Sequence, residues 1–189
     1  AYEMQRSLVG SEMCIRASRT SVRRITSHLL EQGRTLPGFI GDIGYAQSNR
    51  ERYEGFCQAL TDAGKKVDSS LCLTTPLGID TYREEIDTFL SSLSRMPDAF
   101  VCASDYVACI LMQLLEKRGL RVPEDVAVSG FDNNTEDLLA EHLTTVQVFN
   151  EELGARLALQ ILYRIKYPNT PHEVTYLGTN VLYRDSTGD

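Results

Sequence analysis

Several polar residues have the chemistry to hold a small polyhydroxylated molecule, and each follows a short apolar run of the chain. They are Ser48, Arg52, Ser104, Asp105 and Asp132, with Phe131 directly before the last. Carboxylates accept hydrogen bonds from vicinal hydroxyl groups, a guanidinium group donates two in a fixed fork, and an aromatic ring can stack on a sugar face. These residue types predict a ligand site if the fold brings them together.

Each of these residues also has a purely structural interpretation. Ser48-x-x-Glu51 has the form of a capping box, and Asp105 is a suitable helix N-cap. Arg52 could pair with a surface carboxylate, and Asp132 could simply form a turn. For most of these residues taken singly, the structural interpretation is favoured. Their joint position after strands favours a site.

Apolar runs alternate with amphipathic helical patterns through most of the chain. Strands are predicted at 37–41, 70–73, 98–103, 125–130 and 143–149, and helices begin near 20, 48, 81, 105 and 150. Strands that are apolar on both faces belong to parallel sheets covered by helices. The pattern therefore predicts a doubly wound α/β sheet, in which ligands bind beyond the carboxyl ends of the strands.

Local signals predict where the helices begin and end. Thr81-x-x-Glu84 has the form of a second capping box, and Asn150 is a predicted N-cap. Gly33 and Gly119 are predicted helix stops, because glycine readily adopts the left-handed conformation that ends a helix.

Composition excludes several classes of function. The net charge is -7 and the sequence pI is about 5.0, which argues against direct nucleic-acid binding by this chain. No apolar run approaches the roughly 20 residues that span a bilayer, and no secretory signal is visible. Five scattered cysteines without a C-x-x-C pair, and only three histidines, predict no metal site and a reducing cytoplasm.

Catalytic motifs are not found either. The run G-F-I-G-D-I-G (38–44) lacks the glycine spacing of a dinucleotide-binding loop, and the chain has no G-x-S-x-G elbow or P-loop lysine motif. We therefore expect a binding protein with neither catalytic residues nor cofactor.

An ordered set of longer runs resembles the lactose-repressor (LacI/GalR) family of transcription regulators. The runs are F-I-G-D, S-N-R-E-R-Y-E-G-F-C-Q-A-L, D-A-F-V-C-A-S-D-Y-V-A, G-L-R-V-P-E-D-V-A-V-S-G-F-D-N, L-T-T-V and the terminal L-Y-R-D-S-T. The resemblance covers about 22–187, whereas residues 1–16 do not resemble the family.

The resemblance implies a type I periplasmic-binding-protein-like fold, with two α/β lobes around a ligand cleft. It also implies a homodimer in which a sugar or related effector controls operator binding allosterically. Arg52 looks like the family's effector-binding arginine and Asp132 like its acidic ligand residue. Ser104, next to Asp105, matches a position that often contacts ligand, and Ser48 matches a cleft-lining hydroxyl. Leu138 and Leu139 are candidates for the dimer interface.

The resemblance also implies a domain organisation. We expect residues 1–34 to be an unmatched segment and a remnant helix of the amino-terminal lobe, 35–147 the carboxy-terminal lobe, 148–169 a helix of the amino-terminal lobe, and 170–189 a return to the carboxy-terminal lobe. Both isolated helices are expected to be poorly covered. Operator DNA would be bound only through a headpiece that this chain lacks. Gln147 stands one position before the family's usual glutamine, where the chain has Val148.

Two other functions remain as alternatives. A periplasmic-type sugar-binding protein of a transport system would share the fold, but it would carry a signal peptide and few free cysteines. An α/β enzyme would need phosphate-binding glycines or a nucleophile with its base. The sequence favours the repressor.

Overall fold

The computed structural model describes residues 14–16, 18–78, 80–134, 141–171 and 173–189. These residues form two compact units, a larger one of Ser18–Gln147 and Asn180–Asp189 and a smaller one that contains 14–16 and Val148–Thr179. Leu138 and Leu139, the candidate interface residues, lie outside the described residues.

The elements alternate along the chain as the apolar pattern predicts. In order they are β1 (Cys14–Arg16), α1 (Ser18–Glu31), β2 (Pro37–Ile40), α2 (Gln47–Asp62), a short 3-10 helix (Ser69–Leu71), β3 (Cys72–Leu73), α3 (Tyr82–Ser92), β4 (Ala99–Cys102), α4 (Asp105–Lys117), β5 (Ala127–Ser129), β6 (Thr145–Gln147), α5 (Asn150–Lys166), β7 (Thr175–Leu177), β8 (Asn180–Leu182) and a second 3-10 helix (Asp185–Thr187).

A parallel sheet with strand order β3-β2-β4-β5 forms the centre of the larger unit. On one face, the ring of Phe39 contacts Tyr53 and Phe56 of α2. On the other, Phe100 and its neighbours join the buried residues of α3 and α4 in one core, where Leu111 is completely buried. Helices cover both faces, so the predicted doubly wound α/β sheet is confirmed.

The chain extends this sheet beyond β5. Gly130 donates its backbone N–H to the carbonyl of Thr144 at 2.8 Å, and Asp132 donates to that of Val146 at 3.1 Å. Strand β6 also pairs antiparallel with β8. The return segment of the chain therefore lies beside the loop that follows β5.

Helix α1 packs within the larger unit, so the expectation of a poorly covered helix is wrong for this element. Val22, Ile25 and Leu29 are completely buried. Helix α1 packs closely against α2 because Gly55 has no side chain. A Cβ atom at Gly55 would collide with the backbone carbonyl oxygen of Arg19. Periodicity predicts this apolar stripe but does not say which helix it meets.

In the smaller unit, β1 pairs parallel with β7. Helix α5 has no buried residue, and the side chains of Leu162 and Ile165 are 63 % and 73 % exposed. The apolar face of this helix is therefore uncovered among the described residues.

The helix starts differ from the predicted caps. Helix α2 begins at Gln47, so Ser48 lies inside its first turn and the capping box with Glu51 does not form. Thr81 does occupy an N-cap position, but its hydroxyl donates to Glu85 at 2.6 Å rather than pairing with Glu84.

Two further caps are shifted by one residue. Ser104, and not Asp105, caps α4, and the N-cap position of α5 is Phe149 rather than Asn150. The strands before these two helices also end early: β4 ends one residue and β6 two residues before the predicted end of the apolar run.

Candidate functional site

The guanidinium group of Arg52 is the centre of the candidate site. The helix α2 delivers it to the carboxyl ends of β4 and β5, where it donates to the backbone carbonyl of Ala103. Its other terminal nitrogen lies 3.3 Å from a carboxylate oxygen of Asp132. Three separate chain segments thus meet at one point on the edge of the sheet.

The ring of Phe131 supports the same guanidinium group. The central carbon of Arg52 lies 3.7 Å from the ring centroid, and the Arg52 side chain is only 4 % exposed. Removing a charged group from water is costly unless hydrogen bonds and opposite charge compensate for the loss. The carbonyl, the carboxylate and the aromatic face supply that compensation.

An aromatic ring can stack on a sugar face, but the ring of Phe131 contacts a side chain of the protein. The ring is completely buried, and its face packs against the guanidinium group of Arg52. The sequence shows an aromatic residue beside an acidic one, but it does not show which partner the ring selects.

Asp132 presents its carboxylate from a strained turn. The φ angles of Asp132 and Asn133 are 107° and 52°, in the region that favours glycine. Such conformations cost about 1–3 kcal/mol each and persist where the surroundings impose them, often at functional sites. The Asp132 side chain is 35 % exposed, so it can reach a ligand while it contacts Arg52.

Three residues that the sequence did not single out as site residues hold this turn. The side chain of Asn133 donates to Gln147 at 2.6 Å and accepts from Arg184 at 2.9 Å. The backbone N–H of Asn133 donates to the hydroxyl of Thr145 at 3.2 Å. These residues lie in or beside runs that resemble the family and near predicted strands, but neither signal identifies hydrogen-bond partners.

Asp105 is buried and makes hydrogen bonds within the protein. Its carboxylate accepts from the Thr145 hydroxyl at 2.5 Å and from the backbone N–H of Asn134 at 2.7 Å. Gly130 has no side chain, and this leaves room for the Asp105 carboxylate. A Cβ atom at Gly130 would collide with it. Burial raises the pKa of the Asp105 carboxyl group, and the hydrogen bond from Thr145 partly opposes that rise. Asp105 therefore ties α4 to the segments after β5.

Ser104 and Ser48 flank the centre of the site. The hydroxyl of Ser104 accepts from the backbone N–H of Val107 at 3.3 Å as the cap of α4, directly after the carbonyl that Arg52 contacts. Ser48 is half-buried one turn before Arg52 on α2. The structure thus brings Arg52, Ser104 and Asp132 to one edge of the sheet, and Ser48 lies on the same helix as Arg52.

The chemistry of this edge is that of hydrogen-bonding recognition. It offers a guanidinium group, a partly exposed carboxylate and a hydroxyl around a network of amide and hydroxyl groups. Among the described residues, no cluster of three or more histidine, cysteine or acidic side chains could hold a metal ion. No helix in the described part of the chain is long and apolar enough to cross a bilayer.

Comparison with known families identifies the fold. Residues 26–187 match the model of the periplasmic binding protein-like domain. The chain belongs to this family. The match includes every strand of the parallel sheet and all the candidate site residues.

Relatives within the family are transcription regulators. The chain is 35 % identical over 130 residues to the HTH-type transcriptional regulator DegA of Bacillus subtilis, which covers 68 % of this chain and 38 % of DegA. It is 28 % identical over 166 residues to the HTH-type transcriptional repressor PurR of Photobacterium profundum, covering 87 % of this chain and 49 % of PurR. The chain thus spans less than half the length of these two curated relatives.

Solved structures agree with the sequence relatives. The complex of the transcriptional regulator CelR with cellobiose superposes with a TM-score of 0.78 at 27 % identity, over 93 % of this chain and 54 % of that one. These relatives confirm the resemblance to the LacI/GalR family and do not favour the transport alternative.

Proposed function

We propose that this chain is the effector-binding part of a cytoplasmic LacI-type transcription repressor and that its effector is an uncharged sugar. The observation that carries the proposal is the meeting of Arg52, Asp132 and the start of α4 at one edge of the parallel sheet. The similarity to DegA, PurR and CelR supports a regulatory role without catalysis.

The charge balance of the site supports a neutral ligand. Arg52 is already close to the carboxylate of Asp132 and bonded to a backbone carbonyl, so its charge is largely compensated. A phosphate or carboxylate ligand would meet the Asp132 carboxylate, and like charges at close range are unfavourable. A sugar hydroxyl can donate to Asp132 and accept from Arg52 without that repulsion.

The proposed mechanism is allosteric. In a longer protein with a DNA-binding headpiece, an effector that binds one conformation better than another shifts the equilibrium and so changes operator binding. We propose that residues 35–147 belong to the carboxy-terminal lobe and residues 148–169 to the amino-terminal lobe.

A thermal-shift comparison tests the proposed ligand class. The 189-residue chain would be melted with cellobiose, D-ribose and other neutral sugars, and with the matched sugar phosphates. A true effector at one hundred times its Kd adds about 2.7 kcal/mol of stability. We expect stabilisation by a neutral sugar and not by its phosphate ester.

Arg52→Ala is the decisive variant for the site. Loss of the guanidinium group removes the proposed donor to the sugar together with its contacts to Ala103 and Asp132, so the sugar-induced shift in Tm should disappear. Arg121→Ala is the matched control, since Arg121 forms an exposed pair with Asp125. A full sugar-induced shift in Arg52→Ala would contradict the site assignment.

We also propose that the regulator is a homodimer. Sedimentation equilibrium measures this directly, and a longer chain that includes the headpiece should sediment at twice its monomer mass at micromolar concentration. A monomer at tens of micromolar would contradict the proposed assembly.

A further inference from the structure

Two adjacent residues without glycine's freedom form the turn that carries the Asp132 carboxylate. Their φ angles are 107° at Asp132 and 52° at Asn133. Asparagine tolerates the left-handed region better than most residues, whereas aspartate at 107° is uncommon. The turn therefore needs outside contacts to keep its conformation.

Asn133 makes those contacts. Its amide group donates to Gln147 at 2.6 Å, its carbonyl oxygen accepts from Arg184 at 2.9 Å, and its backbone N–H donates to Thr145 at 3.2 Å. Both ends of the side-chain amide are engaged, so the side chain has little freedom to rotate.

Arg184 is itself fixed at several points. Its guanidinium group donates to the backbone carbonyl of Leu143 at 2.9 Å, and its backbone N–H donates to the hydroxyl of Thr144 at 2.7 Å. It stands 51 positions from Asn133 in the sequence and directly before the second 3-10 helix. The return segment of the chain is thus bonded to the ligand-facing turn.

We propose that Arg184 is a positioning residue that acts through Asn133 to hold the Asp132 carboxylate against Arg52. The role in effector binding rests on the proposed function, whereas the role in holding the turn does not. A glycine would adopt the backbone angles of this turn without strain. Here a charged hydrogen bond from Arg184, in a distant segment, holds the turn in that conformation instead.

Hydrogen exchange tests the positioning role without any ligand. In the Arg184→Ala chain, the backbone amides of Asp132 and Asn133 should exchange at least tenfold faster than in the parent, while the amides of β4 keep their rates. Arg121→Ala, an arginine removed from an exposed pair, should change neither set. Arg184→Lys keeps the positive charge but loses the two-nitrogen guanidinium donor. Its exchange rates at Asp132 and Asn133 should lie between those of the parent and of Arg184→Ala.

Asn133→Gly separates positioning from folding. Glycine adopts the positive φ angle at no steric cost, so this variant should still fold, but the anchors to Arg184 and Gln147 are lost. The Asp132 amide should again exchange at least tenfold faster, and Arg184→Ala added to this variant should accelerate it no further. Equal acceleration of all amides by Arg184→Ala, or unchanged exchange in the turn, overturns the proposal.

Ligand binding provides the second arm of the experiment. If cellobiose or D-ribose binds the parent chain, Arg184→Ala and Asn133→Gly should each weaken its affinity at least tenfold; unchanged affinity overturns the role in effector binding. If neither sugar nor any other neutral sugar binds, the proposed function fails, and the exchange rates still decide whether Arg184 holds the turn.

Discussion

Buried charge at the residue scale shows how the site is built. Arg52 and Asp105 are both buried in the larger unit, but the groups around them have different effects on their charges. Arg52 contacts a carbonyl, a carboxylate and an aromatic face, which compensate for the burial of its charge. Asp105 is hydrogen-bonded, but burial dominates and raises the pKa of its carboxyl group. Arg52 is suited to recognition and Asp105 to tying segments together.

The raised pKa of Asp105 predicts an unusual pH dependence of stability. The folded chain binds the proton of this carboxyl group at a pH where the unfolded chain has already released it. The contribution of Asp105 to the free energy of unfolding should therefore increase as pH falls from neutral through the folded pKa, which is opposite to most aspartates. Denaturant unfolding of the parent chain and of Asp105→Asn from pH 7 to pH 4 measures this contribution by difference.

The sign of that difference is decisive. Relative to Asp105→Asn, the parent chain should gain stability toward acid pH. A relative loss toward acid pH would mean that the hydrogen bonds from Thr145 and Asn134 outweigh burial.

At the element scale, two amphipathic helices of similar sequence pattern have opposite surroundings. Helix α4 buries eight residues between the sheet and α3, whereas α5 buries none. A helix is stabilised mainly by the packing of its apolar face, so α4 supports the site and α5 contributes little in this chain.

Matched leucine truncations test this contrast. Leu111 in α4 is completely buried, and Leu162 in α5 is 63 % exposed. Leu111→Ala should lower the free energy of unfolding by about 2–5 kcal/mol because it leaves a cavity. Leu162→Ala should change it by less than about 0.5 kcal/mol. Urea unfolding with a common m-value compares the two, and similar costs would show that α5 is covered in solution.

At the scale of the whole molecule, the described residues form one unit with a well-packed core and one unit whose helix has no buried residue. The larger unit has a four-stranded parallel sheet with helices on both faces. In the smaller unit, β1 and β7 form a two-stranded sheet beside a helix with no buried residue. Two parallel strands and one helix are too few to form a stable hydrophobic core of their own.

The two units should therefore differ in local stability. Backbone amides of α5 should exchange with solvent by low-energy local opening, and those of α4 and β4 only near the global unfolding free energy. Native-state hydrogen exchange measured by mass spectrometry on peptides from both regions compares them. Equal protection of α5 and α4 would contradict this division.

The sequence predicted much of the fold because the relevant signals are local. Apolar runs and helical periodicity gave the strand and helix order, and Gly33 and Gly119 stop α1 and α4 with φ angles of 93° and 73°. The positions of Arg52 after β2 and of Asp132 after β5 were also visible, since parallel strands of one sheet bring their carboxyl ends to one edge.

The sequence by itself determined the alternation of elements, the parallel sheet and the edge where polar residues gather. Only the tertiary structure decided that α1 packs on α2, that Asp105 and Phe131 are structural supports, and that Arg184 reaches Asn133. Those outcomes depend on hydrogen bonds and close packing between distant segments, such as Arg52 with Phe131 and Arg184 with Asn133, which is 51 positions away. Such partners are selected by three-dimensional proximity, which no local pattern of residue types encodes.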